Sequence, residues 1–156
     1  MQTRTGMDGL AEDLAEHRKL IGDANPVYAR AVEQLAVLLC GPAASQPVVA
    51  RMERAWRQRS FEAAYERPLL LLAALRHDAL ITGPEHPLAR AFADEHPELA
   101  AVSRVALTRG LDPDRLPIWL ALATRRVQTN DVSRAVAWRW PAALAGQRPI
   151  ALVDVG

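Results

Sequence analysis

The 156 residues are half hydrophobic and 24% charged, enough for one domain with a real core and without the low-hydrophobicity, high-charge signature of disorder. The formal net charge is +1, and the basic residues, all arginine except Lys19, are scattered among 18 acids rather than gathered into a stripe. That scatter disfavours nucleic acid, whose phosphates need clustered positive charge. Cys40 is the sole cysteine, which excludes an intrachain disulfide and a thiolate-paired zinc site and fits a reducing cytoplasm. Residues 1–20 are polar where a secretory signal needs an apolar stretch, and no apolar run approaches the roughly 20 residues of a membrane span. A cytoplasmic, unexported chain is the expectation.

Apolar residues recur at helical spacing, and breakers divide the chain into segments of helical length. The spacing predicts a helix over 7–21 closed by Gly22, then one from Pro26, at the favoured first helical position, to Cys40 before Gly41-Pro42. A polar, arginine-rich helical stretch over 47–65 carries a candidate break at Ser60. The segment 67–81 is the most apolar, and within it 69–75 is apolar all round, which predicts burial on every side. Thr82-Gly83-Pro84 ends that helix. A short helical turn is expected over 85–94, among the pairs His86-Pro87 and His96-Pro97, then a helix over 97–109 capped by Gly110. Asp112 and Pro113 suit the N-cap and first position of a helix reaching Arg126, with Pro117 in its first turn or bending it. Asn130 can cap a further helix over 131–145 that Pro141 bends or ends. No internal repeat or low-complexity tract points to a solenoid.

The chain then runs Pro149-Ile150-Ala151-Leu152-Val153-Asp154-Val155-Gly156, an apolar run, an acid and a glycine. Such a run at the start of an α/β domain makes a buried strand, and its glycine lets the backbone turn sharply where a ligand comes close. The expected fold class is mainly α: a bundle of about six to eight helices over 1–148, ending in one short β-strand, 149–156, that would begin an absent α/β domain.

Between two apolar helices lies a dense polar stretch, 123–134. One reading is a capped turn, with Thr129 or Asn130 satisfying free N–H groups of the next helix and Asp131 complementing its positive end. That reading leaves Gln128, Arg125 and Arg134 free to face a neighbouring domain or its ligand. His77-Asp78 is similar to the dyad of metal-dependent phosphohydrolases, which need further ligands on neighbouring helices because one divalent metal takes several nitrogen and oxygen donors. His17 lies far upstream, and His86 and His96 precede prolines. A histidine hydrogen-bonded at the end of a buried helix is the plainer account, and no metal is expected. Trp56, Trp119, Trp138 and Trp140 are dispersed, as core or interface packing requires. Arg51, Arg54, Arg57 and Arg59 read as a solvated face. Ser60, Ser103 and Ser133 lack a nucleophile's context, and Cys40, at an apolar helix end, reads as an inert buried thiol.

Three stretches in their order and spacing resemble a bacterial family known as domain of unknown function 2332. They are Leu72 to Gly83 with the following His86-Pro87-Leu88-Ala89, then Val127 to Arg134, then Pro149 to Gly156; Asn25-Pro26-Val27-Tyr28 is similar to the family's early helix. Complete members look like class I S-adenosylmethionine-dependent methyltransferases, with a helical part preceding the cofactor-binding sheet. The resemblance implies that Asp154 and Gly156 begin the cofactor loop, an incomplete motif in which the later glycines and the ribose-holding acid are missing. S-adenosylmethionine is thus the cofactor of a complete protein and none is expected for this chain. The implied function is a non-catalytic N-terminal helical module that packs on the cofactor domain, with Gln128, Asn130, Asp131 and Arg134, and more weakly His77, as substrate or domain contacts. The substrate is not implied. The alternatives are a free-standing helical interaction module whose terminal strand pairs with a protein partner, and a phosphohydrolase built on His77-Asp78. A homo-oligomer is left open.

Overall fold

The computed structural model describes residues 4–93 and 95–127. The helix expected over 131–145, the strand over 149–156 and the boundary at 148 lie outside the described residues. Within them the fold is mainly α, with six α-helices and a single two-stranded antiparallel ladder.

Helix α1, Leu10–Ile21, places Leu10, Asp13, Leu14 and His17 on one buried stripe, the i, i+3, i+4, i+7 pattern of an amphipathic helix. It ends at Gly22, whose φ of 54° is open to glycine and strained for other residues. The link 22–25 folds the chain back into α2, Pro26–Cys40, which packs along α1. Asn25 caps α2 by accepting the Tyr28 N–H at 3.2 Å, and Pro26 opens it without wasting a donor. Cys40 is exposed, against expectation: Leu35, Leu38 and Leu39 take the core face and the next position turns outward.

Helix α3, Gln46–Trp56, does not run on to 65: the helical stretch is interrupted around the candidate break at Ser60. The Arg59 N–H folds back on the Trp56 carbonyl at 2.9 Å, and Ser60–Phe61 becomes a strand, β2. Its partner β1, Arg4–Thr5, sets Arg4 opposite Phe61 and Thr5 opposite Ser60. Extended backbone lets Phe61 drop into the core, where its ring meets the Trp56 indole edge-on at 5.2 Å between centroids. The break at Ser60 is a local signal, but nothing at 57–61 could announce the strand partner, which is so distant in sequence.

Helix α4, Glu66–Thr82, is the central element and packs against α1, α2 and the last described helix. Leu70, Leu71, Leu72, Ala74 and Leu75 are buried, but Leu69 is half-buried and Ala73 exposed, so burial covers most of the circumference rather than all of it. Gly83, at φ 72°, ends the helix and donates its N–H to the Ala79 carbonyl.

The helix expected over 97–109 is split into a 3-10 turn, Leu99–Ala101, and α5, Arg104–Gly110. Ser103 causes the split: its hydroxyl accepts the Ala106 N–H at 3.1 Å as an N-cap, which requires extended backbone just where a longer helix would pass. The carbonyl of the preceding Val102 is bound by Arg30 Nε at 2.9 Å. Gly110 is the last residue of α5, with Leu111 capping beyond it; a Cβ at Gly110 would lie 3.3 Å from Leu75 and 3.4 Å from Leu88.

Asp112 turns the chain by accepting the Asp114 N–H at 2.9 Å, so α6 begins only at Leu116, with Arg115 rather than Asp112 at its N-cap, and runs to Thr124 rather than Arg126, with Pro117 in its first turn. Helix α6 packs on α3 and α4.

Candidate functional site

Both ends of α4 hold buried charge. At the start, Arg67 is fully buried and donates through Nε to Asp13 Oδ2 at 2.6 Å, with a second nitrogen on the Gly6 and Asp8 carbonyls at 3.1 and 2.7 Å. Arg4 pairs with the other oxygen of the same carboxylate. This set ties β1 and α1 to α4.

At the far end, Asp78 is buried and its Oδ2 receives Arg115 through Nε and a terminal nitrogen, at 2.9 and 2.6 Å. His86 lies 3.2 Å from the same oxygen through Nε2. Its Nδ1 accepts the Leu88 N–H at 3.0 Å, so a neutral ring must carry its proton on Nε2 and donate it to Asp78. Burial, aided by Arg115, pushes the His86 ring below the ordinary histidine range, while Asp78 opposes the change. Arg115 also reaches the Thr82 hydroxyl at 3.1 Å. The cluster thus fastens the entrance of α6 to the exit of α4.

The helix so fastened is unusual on its outer side. Ile118, Trp119 and Leu122 face the core, yet Leu116 and Leu120 are each 65% exposed, on a helix without a charged residue. Its inner side is closed by polar ties: Trp119 Nε1 donates to the Asp112 carbonyl at 2.8 Å, and Trp56 Nε1 to the Leu122 carbonyl at 3.1 Å. Arg59 joins Trp56 on the Leu122 carbonyl, a cation capping the negative end of α6. Two grooves flank the outer ridge. One, against α3, is lined by Arg51, Arg54, Ala55, Pro117 and Trp119; the other, against α4, by Ala73, His77, Ile81, Pro117 and Ala121. Arg51 lies over the Trp119 ring at 5.8 Å, and Arg59 is engaged in capping. Only Arg54 and Arg57 of that arginine set are the solvated residues the sequence suggested.

Of the sequence-predicted site residues, Gln128, Asn130, Asp131, Arg134, Asp154 and Gly156 lie outside the described residues. His77 is exposed on α4, and the structure separates it from Asp78: adjacent residues project about 100° apart on a helix, and here one meets solvent while the other meets the Arg115 and His86 side chains. The hydrogen-bonded histidine is therefore His86, not His77. Among the described residues no group of three or more His, Cys, Asp and Glu side chains suits a metal ion. The described chain leads out of α6 through Arg125, Arg126 and Val127, which line the groove between α4 and α6, so the polar stretch begins beside the apolar ridge.

The profile of a family described as an uncharacterised protein conserved in bacteria, domain of unknown function 2332, matches residues 14–156. The chain belongs to this family. The match begins within α1 and takes in every later described element, so both the Asp78 cluster and the α6 ridge fall inside the family region. No curated protein and no solved structure matches the chain. Among the described residues no helix is long and apolar enough to cross a membrane.

Proposed function

We propose that this chain is a non-catalytic helical module of a protein resembling class I S-adenosylmethionine-dependent methyltransferases, and that it docks on its α/β domain through the outer ridge of α6. The observation that carries the docking surface is the exposure of Leu116 and Leu120 on a helix with no charged residue, between two grooves. Each leucine covered by a partner contributes about 2 kcal/mol of apolar burial, which is what an interface core needs. The Asp78–Arg115 pair supports the reading by fixing the ridge at its entrance, so that it meets a partner without first being ordered.

The methyltransferase part rests on the order of sequence features: after α6 come the polar stretch with Gln128, Asn130, Asp131 and Arg134, then Asp154 and Gly156 in the pattern of a first strand and glycine turn. In this arrangement the helical module walls one side of a pocket whose cofactor, S-adenosylmethionine, is held by the other domain.

Reading the coding sequence past the Gly156 codon tests the first half. Continuation into a glycine-containing turn and further strand–helix units is expected, and its absence overturns the assignment. Titration calorimetry of this chain with S-adenosylmethionine should give no binding heat; micromolar binding would sink the non-catalytic reading. With the following domain supplied as a separate polypeptide, the double substitution Leu116→Ser and Leu120→Ser should weaken association about 100-fold or more in sedimentation experiments, since two buried leucines are lost. Unchanged association places the interface elsewhere.

A further inference from the structure

The leucines of α6 mark a face that is covered; the charges beside them mark what covers it. Among the described residues, the charged members of the groove on the α3 side are Arg51 and Arg54, and no carboxylate joins them. Arg51 is half-buried and lies over the Trp119 ring, 5.8 Å from its centroid, which holds its cation at the groove wall. Arg54 is exposed. On the α4 side the groove has one carboxylate, Asp78, already taken by Arg115 and His86, while Arg125 and Arg126 enter it at the helix exit. Beyond that exit Glu62 and Glu66 share a separate pocket with Arg59 and Arg126, and Arg125 is not part of it. Arg51, Arg54 and Arg125 take part in no ion pair among the described residues. The acids nearest in sequence, Glu53, Asp112 and Asp114, line neither groove.

The ridge therefore offers apolar contact in its middle and uncompensated positive charge on its α3 flank and at its exit. A partner that covered it with apolar surface alone would strip water from these arginines and return nothing to them. A second copy of the chain does not meet the need. If two α6 ridges met about a twofold axis with the helices antiparallel, each α3 flank would face its own copy, arginine against arginine. With the helices parallel, the α3 flank would face the α4 flank, where Asp78 is engaged and no other described carboxylate lines the groove. A lipid surface is flat on this scale and leaves both flanking grooves unfilled, whereas protein side chains interdigitate with them.

We infer that the ridge of α6 is covered by a protein surface that is apolar at its centre and carries carboxylates opposite Arg51, Arg54 and Arg125, and that this surface is an acidic face of the α/β domain. The inference rests on the docking proposal and adds the chemistry of the partner. Apolar contact sets the strength of attachment, and the carboxylates set which way round the two parts meet.

The test is made in the protein expressed from the complete reading frame, carrying Cys40→Ser and Ala123→Cys. The rate at which the new thiol reacts with a maleimide is read by mass spectrometry of its peptide. Ala123 is half-buried in the groove on the α3 side, so the probe leaves both ridge leucines in place. Against the 156-residue chain carrying the same substitutions, the complete protein should react about tenfold more slowly or less. Arg54→Glu should recover most of that rate, with Arg125→Glu acting in the same direction, whereas Arg57→Glu, on α3 but outside both grooves, should change nothing. Raising NaCl from about 0.1 M to about 1 M, which shortens the screening length from about 10 Å to about 3 Å, should also speed the reaction. Protection that ignores salt and Arg54→Glu overturns the acidic face and leaves docking in place. Protection lost equally in Arg57→Glu overturns it as well, because net charge would then be acting. No protection in the complete protein overturns the docking proposal and this inference with it. In the 156-residue chain, a dimer in sedimentation or capture by phosphatidylglycerol vesicles, either one abolished by Leu116→Ser with Leu120→Ser, puts another occupant on the ridge and overturns the inference.

Discussion

The two ends of α4 solve the same problem in opposite ways. Each carries the charge that its helix dipole disfavours, Arg67 in the positive first turn and Asp78 near the negative end, so neither placement comes from helix electrostatics. Both are held by tertiary partners: Arg67 by Asp13 of α1 and by backbone carbonyls, Asp78 by Arg115 and His86. The difference lies in access to water. The Arg67–Asp13 pair is itself fully buried, with Arg4 a second, part-exposed cation on the same carboxylate, whereas Arg115, the cation of the Asp78 pair, keeps 26% of its side chain exposed and that cluster includes a titratable ring. A sealed pair can only be kept or destroyed; a pair at the edge can be loosened by solution conditions.

The sharpest way to break this contrast is to remove one partner at each end. Arg67→Met should cost about 3–5 kcal/mol in urea unfolding, because Asp13 is left buried with Arg4 as its remaining cation and the Gly6 and Asp8 carbonyls lose their donor. Asp78→Asn should cost about half as much, since Arg115 can turn to water once its anion is gone. Equal costs would mean that the two sites are equally sealed.

The smallest effect is the one that distinguishes the ends most cleanly. His86 is held below its unfolded pKa of about 6.5 by burial and Arg115. The unfolded chain therefore binds a proton first as pH falls, and stability, level above about pH 7, should decline once the pH drops below about 6.5. His17, lowered by burial, adds a decline of the same sign. Urea midpoints from pH 8 to 5 should show this slope in the parent chain, less of it in His86→Asn, and the remainder in His17→Phe. A slope untouched by His86→Asn would place the titration elsewhere.

Much of the helical frame was legible in the sequence, and the reasons are local. Pro26 and Gly41 bracket α2, and Gly22 and Gly83 end α1 and α4, because glycine and proline act through their own backbone. What could not be read depended on partners distant in sequence. Strand β2 exists because Arg4–Thr5 lies beside it. The late start of α5 is different: Ser103 caps it locally, and the sequence alone did not choose between that cap and a helix running through it. The site was less legible still. His77 drew attention through its neighbour Asp78, yet the partner of Asp78 is His86, a residue that looked like a turn histidine before a proline. One usable signal was passed over: His17 repeats the spacing of Leu10 and Leu14, which already placed an imidazole on the core stripe of α1.

The ladder between β1 and β2 has a consequence for the order in which the molecule assembles. It joins residues 4–5 to residues 60–61 and so closes a ring of chain that contains α1, α2 and α3. The entropy of closing a ring grows with its length, while the reward here is a ladder of two residue pairs. Such a clasp cannot nucleate folding; it forms after the three helices have shortened the distance between its ends. As the chain leaves the ribosome, residues 4–5 must therefore wait unpaired until residues 60–61 have been made.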